Sequence, residues 1–80
     1  MSNLDRLRAA FRQSLDLTAE YDVDVLEYRG IDKWDSLAHM SLVAEIEDVF
    51  DVMIDTEDVI DMSSFTKARE ILEKNGVVFG

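Results

Sequence analysis

The chain has 80 residues, and its 18 acidic against 8 basic side chains give a formal net charge of −10. That balance argues against a phosphate-backbone ligand, which needs a basic face, so no nucleic acid is expected; it favours basic protein partners, which such a field steers into contact. There is no cysteine, hence neither a disulfide framework nor a thiolate zinc site, and any thiol chemistry must be supplied by an attached group.

No apolar run approaches a membrane span, and Met1 to Leu7 lacks the apolar core of a signal peptide. A soluble cytoplasmic protein is expected. The length suits one domain over residues 1–80, with a small core. Self-repulsion of so acidic a bundle favours a monomer.

In chain order, Leu4, Leu7, Phe11 and Leu15 recur at threes and fours behind a Ser2-Asn3 cap, predicting a first helix over about 4–15. The connection from about Asp16 to Asp35 is longer than most links inside compact domains. Val23, Val25, Leu26, Tyr28, Ile31 and Trp34 punctuate it, so it reads as an ordered loop whose apolar residues close the bundle. Val23 and Val25 also hint at a strand, and Gly30 allows a turn. A second helix is expected from about Ser36 to Asp51. Val52 to Ile54 is too short for a strand. Asp55-Thr56 can cap a short third helix through Val59 and Ile60. Ser63 or Ser64 opens a fourth, with Phe65, Ala68, Ile71 and Leu72 on one side and Asn75-Gly76 as its stop. The expectation is an all-α fold: a small four-helix bundle, three longer helices and one short, with a long ordered loop between the first two.

The chemistry concentrates at Trp34-Asp35-Ser36-Leu37. Asp35 and Ser36 are both good N-cap residues, and a serine at a helix start lies beside unpaired N–H groups and the positive end of the dipole, which suits a phosphate ester. At about a hundred degrees per residue, Leu42, Val43, Ile46, Val49 and Phe50 form the core face of the second helix. Ser36, Met40, Ala44 and Glu47 gather on another face, edged by Leu37, Ser41 and Asp48. This is a docking stripe, with Leu37, Met40 and Ala44 for apolar contact and Glu47 and Asp48 for basic residues. Exposed methionine suits a surface that meets several partners.

Asp35-Ser36-Leu37, with Leu42-Val43, Ile46-Glu47-Asp48, Phe50-Asp51 and Ile54, resembles the acyl carrier protein family. The likeness runs without a gap from about Asp35 to Asp61 and more loosely from Ser64 to Asn75. The resemblance implies a 4′-phosphopantetheine arm on Ser36, attached from coenzyme A by a phosphopantetheinyl transferase that Asp35 helps to orient. It implies acyl groups carried as thioesters, and partner ligases or synthases with basic docking surfaces. It also implies a non-catalytic role and shelter for an acyl chain among Ile46, Phe50, Ile54, Ile60, Met62, Phe65 and Ala68, although for any one of them ordinary packing is the favoured reading.

Trp34 stands where fatty-acid carriers place a small residue. Ala38 and Ser41 stand where acidic residues are common, and Asp55 follows Ile54 where proline is frequent. These departures point to a carrier for a specialised pathway rather than for housekeeping fatty-acid synthesis. Met1 and the lack of a flanking linker suggest a free-standing protein. His39, three residues after Ser36, falls near the core face and is expected to bond the long loop or a backbone carbonyl rather than the serine. Asp55, Glu57 and Asp58 do not continue into an EF-hand, whose glycine and terminal glutamate are missing; weak divalent binding at Asp48, Asp51 and Asp55 is the alternative to a solvated face, and no metal is expected. Two alternatives stand beside the acyl carrier: an aminoacyl or peptidyl carrier, and an unmodified acidic adaptor in which Ser36 is only a cap and the Met40 stripe binds a basic helix.

Overall fold

The computed structural model describes residues 2–79. Helix α1 spans Asn3–Ser14, α2 Ser36–Phe50, α3 Thr56–Asp61 and α4 Phe65–Lys74. This is the small all-α bundle expected. Among the described residues, no helix is long and apolar enough to cross a membrane.

Helices α1, α2 and α4 start where a short polar side chain takes up an orphaned backbone N–H, whereas Asp55, at the head of α3, makes no side-chain cap bond despite the capping expected of Asp55-Thr56. Ser2 Oγ accepts from Asp5 N at 3.1 Å, and Ser64 Oγ accepts from Lys67 N at 3.0 Å. At the head of α2 the cap is Asp35, whose Oδ1 accepts from Ala38 N at 2.8 Å; Ser36 is the first helical residue. Capping therefore falls to the aspartate and leaves the serine hydroxyl for other partners. Helix α4 stops through a paired C-terminal motif: Gly76, at φ +95°, donates to the Glu73 carbonyl, and Val77 donates to that of Leu72, both at 3.0 Å.

The core joins Leu7, Ala10, Phe11 and Leu15 to Leu42, Val43 and Ile46 of α2 and to Phe65, Ala68, Ile71 and Leu72 of α4. Val49 and Phe50 are only half-buried. Helix α3 adds little apolar surface, since Ile60 faces outward, and is tied down by charge. Asp58, buried to 7% exposure, receives Lys74 Nζ on both oxygens at 3.0 Å. That contact holds the Lys74 ammonium above its usual range, chiefly through the hydrogen bond to Asp58.

The long loop is part of the core. Val23, Leu26 and Trp34 are buried, and Tyr28 and Ile31 pack against them. The strand hint at Val23 and Val25 resolves into one 3-10 turn, Val23–Val25. Val25 points outward at 72% exposure, because a turn of three residues cannot put both valines inward. Arg8 clamps this turn through a two-pronged contact with Asp24, at 2.9 and 2.7 Å. Further along, Tyr28 N donates to the Ser63 carbonyl (2.8 Å) and Phe65 N to that of Leu26 (3.0 Å), an isolated antiparallel bridge centred on Glu27 and Ser64. Residues 26–28 are thereby pinned to the start of α4, which fixes where Tyr28 can reach.

Candidate functional site

The site is built on two consecutive turns. Gly30 N donates to the Glu27 carbonyl at 2.8 Å, and Trp34 N donates to that of Ile31 at 3.2 Å. A Cβ on Gly30 would lie 2.9 Å from the Glu27 carbonyl oxygen, so the first turn closes only around a glycine. Arg29, inside it, adopts φ +62°, and its N–H donates to the Trp34 carbonyl at 3.2 Å. The chain thus folds back, bringing the side chains of Tyr28 and Arg29 over the head of α2.

Ser36 is exposed, and its Oγ is engaged twice: 2.9 Å from the Tyr28 hydroxyl and 3.1 Å from Arg29 Nη2. Arg29 Nε also approaches the Tyr28 hydroxyl at 3.4 Å, and the guanidinium carbon lies 5.6 Å from the Tyr28 ring centre. The Ser36 hydrogen bond, then the Arg29 guanidinium, pull the Tyr28 phenol below its ordinary value; Tyr28 in turn raises Arg29.

Beneath this surface, Trp34 is fully buried and packs edge-on against Phe11, with ring centres 5.4 Å apart. Its indole Nε1 donates to His39 Nδ1 at 3.0 Å, and His39 Nε2 meets the Val59 carbonyl at 2.8 Å. The histidine therefore bonds both the loop and a backbone carbonyl, the arrangement expected of it. With both ring nitrogens so placed, it has none directed at Ser36. The groups in hydrogen-bond contact with the serine are Tyr28 and Arg29, which helical periodicity does not reveal.

Of the expected docking residues, Leu37 (79% exposed), Met40 (59%), Ala44 and Asp48 all lie open on α2. Glu47 differs. It is half-buried, and its Oε2 accepts from Ile54 N at 2.9 Å, so its carboxylate braces the segment between α2 and α3. The angular reading missed this because the partner lies beyond the helix, where the chain turns back through Asp51 at φ +52°.

Beside Ser36, a groove of about 340 Å³ runs between α2 and α3, lined by Tyr28, Ser36, His39, Met40, Val59, Ile60 and Met62. It shares only Ile60 and Met62 with the residues proposed to shelter an acyl chain. Ile46, Ile54, Phe65 and Ala68 are packed in the core instead. Comparison with family models, with curated proteins and with solved structures finds no match for this chain.

Proposed function

We propose that this protein is a phosphopantetheine-dependent acyl carrier with Ser36 Oγ as the point of attachment. The observation that carries the reading is the placement of one exposed serine hydroxyl. It stands at the first position of a 15-residue helix, is relieved of capping by Asp35, and opens beside an apolar groove. The surroundings fit the group: the hydroxyl is accessible, a guanidinium lies next to it for a phosphate, and the groove volume is within the range of small-molecule sites.

Within this reading each residue has a part. Asp35 fixes the start of α2 and so the direction in which Ser36 faces an incoming transferase. Ser36 Oγ forms the new bond to phosphorus as the pyrophosphate bond of coenzyme A breaks, adenosine 3′,5′-bisphosphate leaves and the hydroxyl proton passes to base or solvent. When attached, the arm supplies the thiol that a chain without cysteine lacks, and acyl groups ride on it as thioesters. Leu37, Met40 and Ala44 offer apolar contact to loading ligases or synthases, with Asp48 and the overall charge drawing in basic partner surfaces. Met40, Val59, Ile60 and Met62 give an acyl group an apolar wall beside the serine. A cytoplasmic monomer serving a specialised pathway is the setting proposed.

The test is loading with a fluorescent coenzyme A analogue and a broad-specificity phosphopantetheinyl transferase, read on a denaturing gel. The parent is expected to label and Ser36→Ala to stay dark. An unlabelled parent beside a labelled control carrier would refute the reading.

A further inference from the structure

A serine hydroxyl can donate once and accept twice; Ser36 Oγ meets the Tyr28 hydroxyl and, unusually for an exposed neutral group, a guanidinium cation. Among the described residues, Arg29 pairs with no carboxylate, in a chain where acids outnumber bases more than two to one; its guanidinium is directed at the two hydroxyls. The position is also held against a backbone preference. A left-handed residue bearing a side chain costs about 1–2 kcal/mol, and Arg29 sits there at φ +62°. A cation–π contact with the Tyr28 ring and the Nε contact with its hydroxyl accompany the bond from Nη2 to Ser36.

What such a pair suits is an anion on Oγ. We propose that Arg29 and Tyr28 form a clamp for a phosphate ester on Ser36, which, on the carrier reading above, is the phosphodiester of the arm. Esterification removes the hydroxyl proton from Oγ, so the Tyr28 hydroxyl becomes the donor in that contact, while Arg29 supplies positive charge and paired N–H groups matched to phosphate oxygens. The cation also offsets repulsion between the phosphate and the Asp35 carboxylate one residue away. Because Tyr28 lines the groove and Leu37 does not, the clamp starts the arm on the groove side of α2.

Two esters test it. Phosphoserine is placed at position 36 by genetic code expansion, and its phosphorus resonance is titrated in the parent, Arg29→Ala, Arg29→Lys and Tyr28→Phe proteins, with circular dichroism verifying the fold of each. A free phosphoserine ionises a second time near pH ~6. The clamp predicts a midpoint about one unit lower in the parent than in Arg29→Ala, with Arg29→Lys and Tyr28→Phe between them. Equal midpoints in folded parent and Arg29→Ala overturn it. In the coenzyme A-loaded protein, the phosphodiester line is expected to be broad in the parent and to narrow in Arg29→Ala; equal widths count against the clamp. Failure of loading, read by intact mass, counts against the carrier reading alone, since the phosphoserine protein still reports on Arg29 and Tyr28.

Discussion

The indole of Trp34 donates to His39 Nδ1 at 3.0 Å, and that single bond fixes the histidine's state. An indole N–H can only donate, so Nδ1 must accept, and the ring proton sits on Nε2, where it donates to the Val59 carbonyl. One line of hydrogen bonds thus runs from the long loop through α2 to α3, and His39 and Val59 in it line the groove beside Ser36.

Removing the middle of that line leaves both ends unsatisfied. His39→Phe keeps a ring of similar breadth but orphans a buried indole N–H, at a cost of about 1–3 kcal/mol. The double variant Trp34→Phe/His39→Phe is expected to lose less than the sum of the two single changes, because the orphaned donor is gone. Urea denaturation of the four proteins measures the coupling; strict additivity would show that the bond contributes nothing.

Capping separates the two polar residues that open α2. Asp35→Ala loses the contact to Ala38 N and is expected to cost about 1 kcal/mol. Ser36→Ala removes an exposed hydroxyl that caps nothing, and is expected to stay within about 0.5 kcal/mol. Thermal melts of both rank them; the reverse order would place the cap on the serine.

Gly30→Ala tests the turn that delivers Tyr28 and Arg29. Stiffening the unfolded chain would on its own stabilise the protein by about 0.4–1 kcal/mol. The new Cβ, however, would meet backbone, the Glu27 carbonyl oxygen at 2.9 Å, which cannot swing aside like a side chain. Overpacking costs about 1–3 kcal/mol, so net destabilisation is expected, together with loss of the Tyr28 perturbation. An ultraviolet titration of the tyrosines reads the latter: the early-ionising phenol of the parent moves back up in Gly30→Ala, and part of the way in Ser36→Ala, where Arg29 still acts on it.

Acid stability follows from Asp24. The Arg8 hydrogen bond holds its carboxyl below the usual aspartate range in the folded protein. A lowered folded-state value means the contribution is fully present above the ordinary aspartate value of about 3.9 and is lost as pH falls through the lower folded value. The pair is partly exposed, so the effect is small and screened by salt. Melting of Asp24→Asn should approach that of the parent as pH falls through the lowered Asp24 value and fall short of it at neutral pH. A constant gap at all pH values would remove the ion pair from the account.

Much of this was legible in advance, for identifiable reasons. Leu7, Phe11, Leu42, Ile46 and Ile71 repeat with helical period, and Ser2, Ser64 and Gly76 carry strong local end signals, so the helices fall within a residue or two of their expected limits. Trp34 and His39 each stood out alone, one as a departure from the family pattern and one as a lone histidine. Their partnership depends on the loop turning back through Gly30, which periodicity does not encode. Tyr28 and Arg29 were hidden for the same reason: they reach Ser36 across a turn pinned by the Glu27–Ser64 bridge, a contact between distant parts of the chain. By angle Glu47 falls on an outward stripe, and its partner, Ile54 N, lies past the helix end, where periodicity does not reach.

The most direct test of the central claim is the intact mass of the protein after incubation with coenzyme A, magnesium and a broad-specificity phosphopantetheinyl transferase, run beside Ser36→Ala and an established carrier. The account predicts a gain of one phosphopantetheine on the parent, mapped to Ser36, and none on the variant. No gain on folded, initially unmodified parent while the established carrier is loaded in the same tube would contradict it, and would leave an acidic helical adaptor as the reading of this surface.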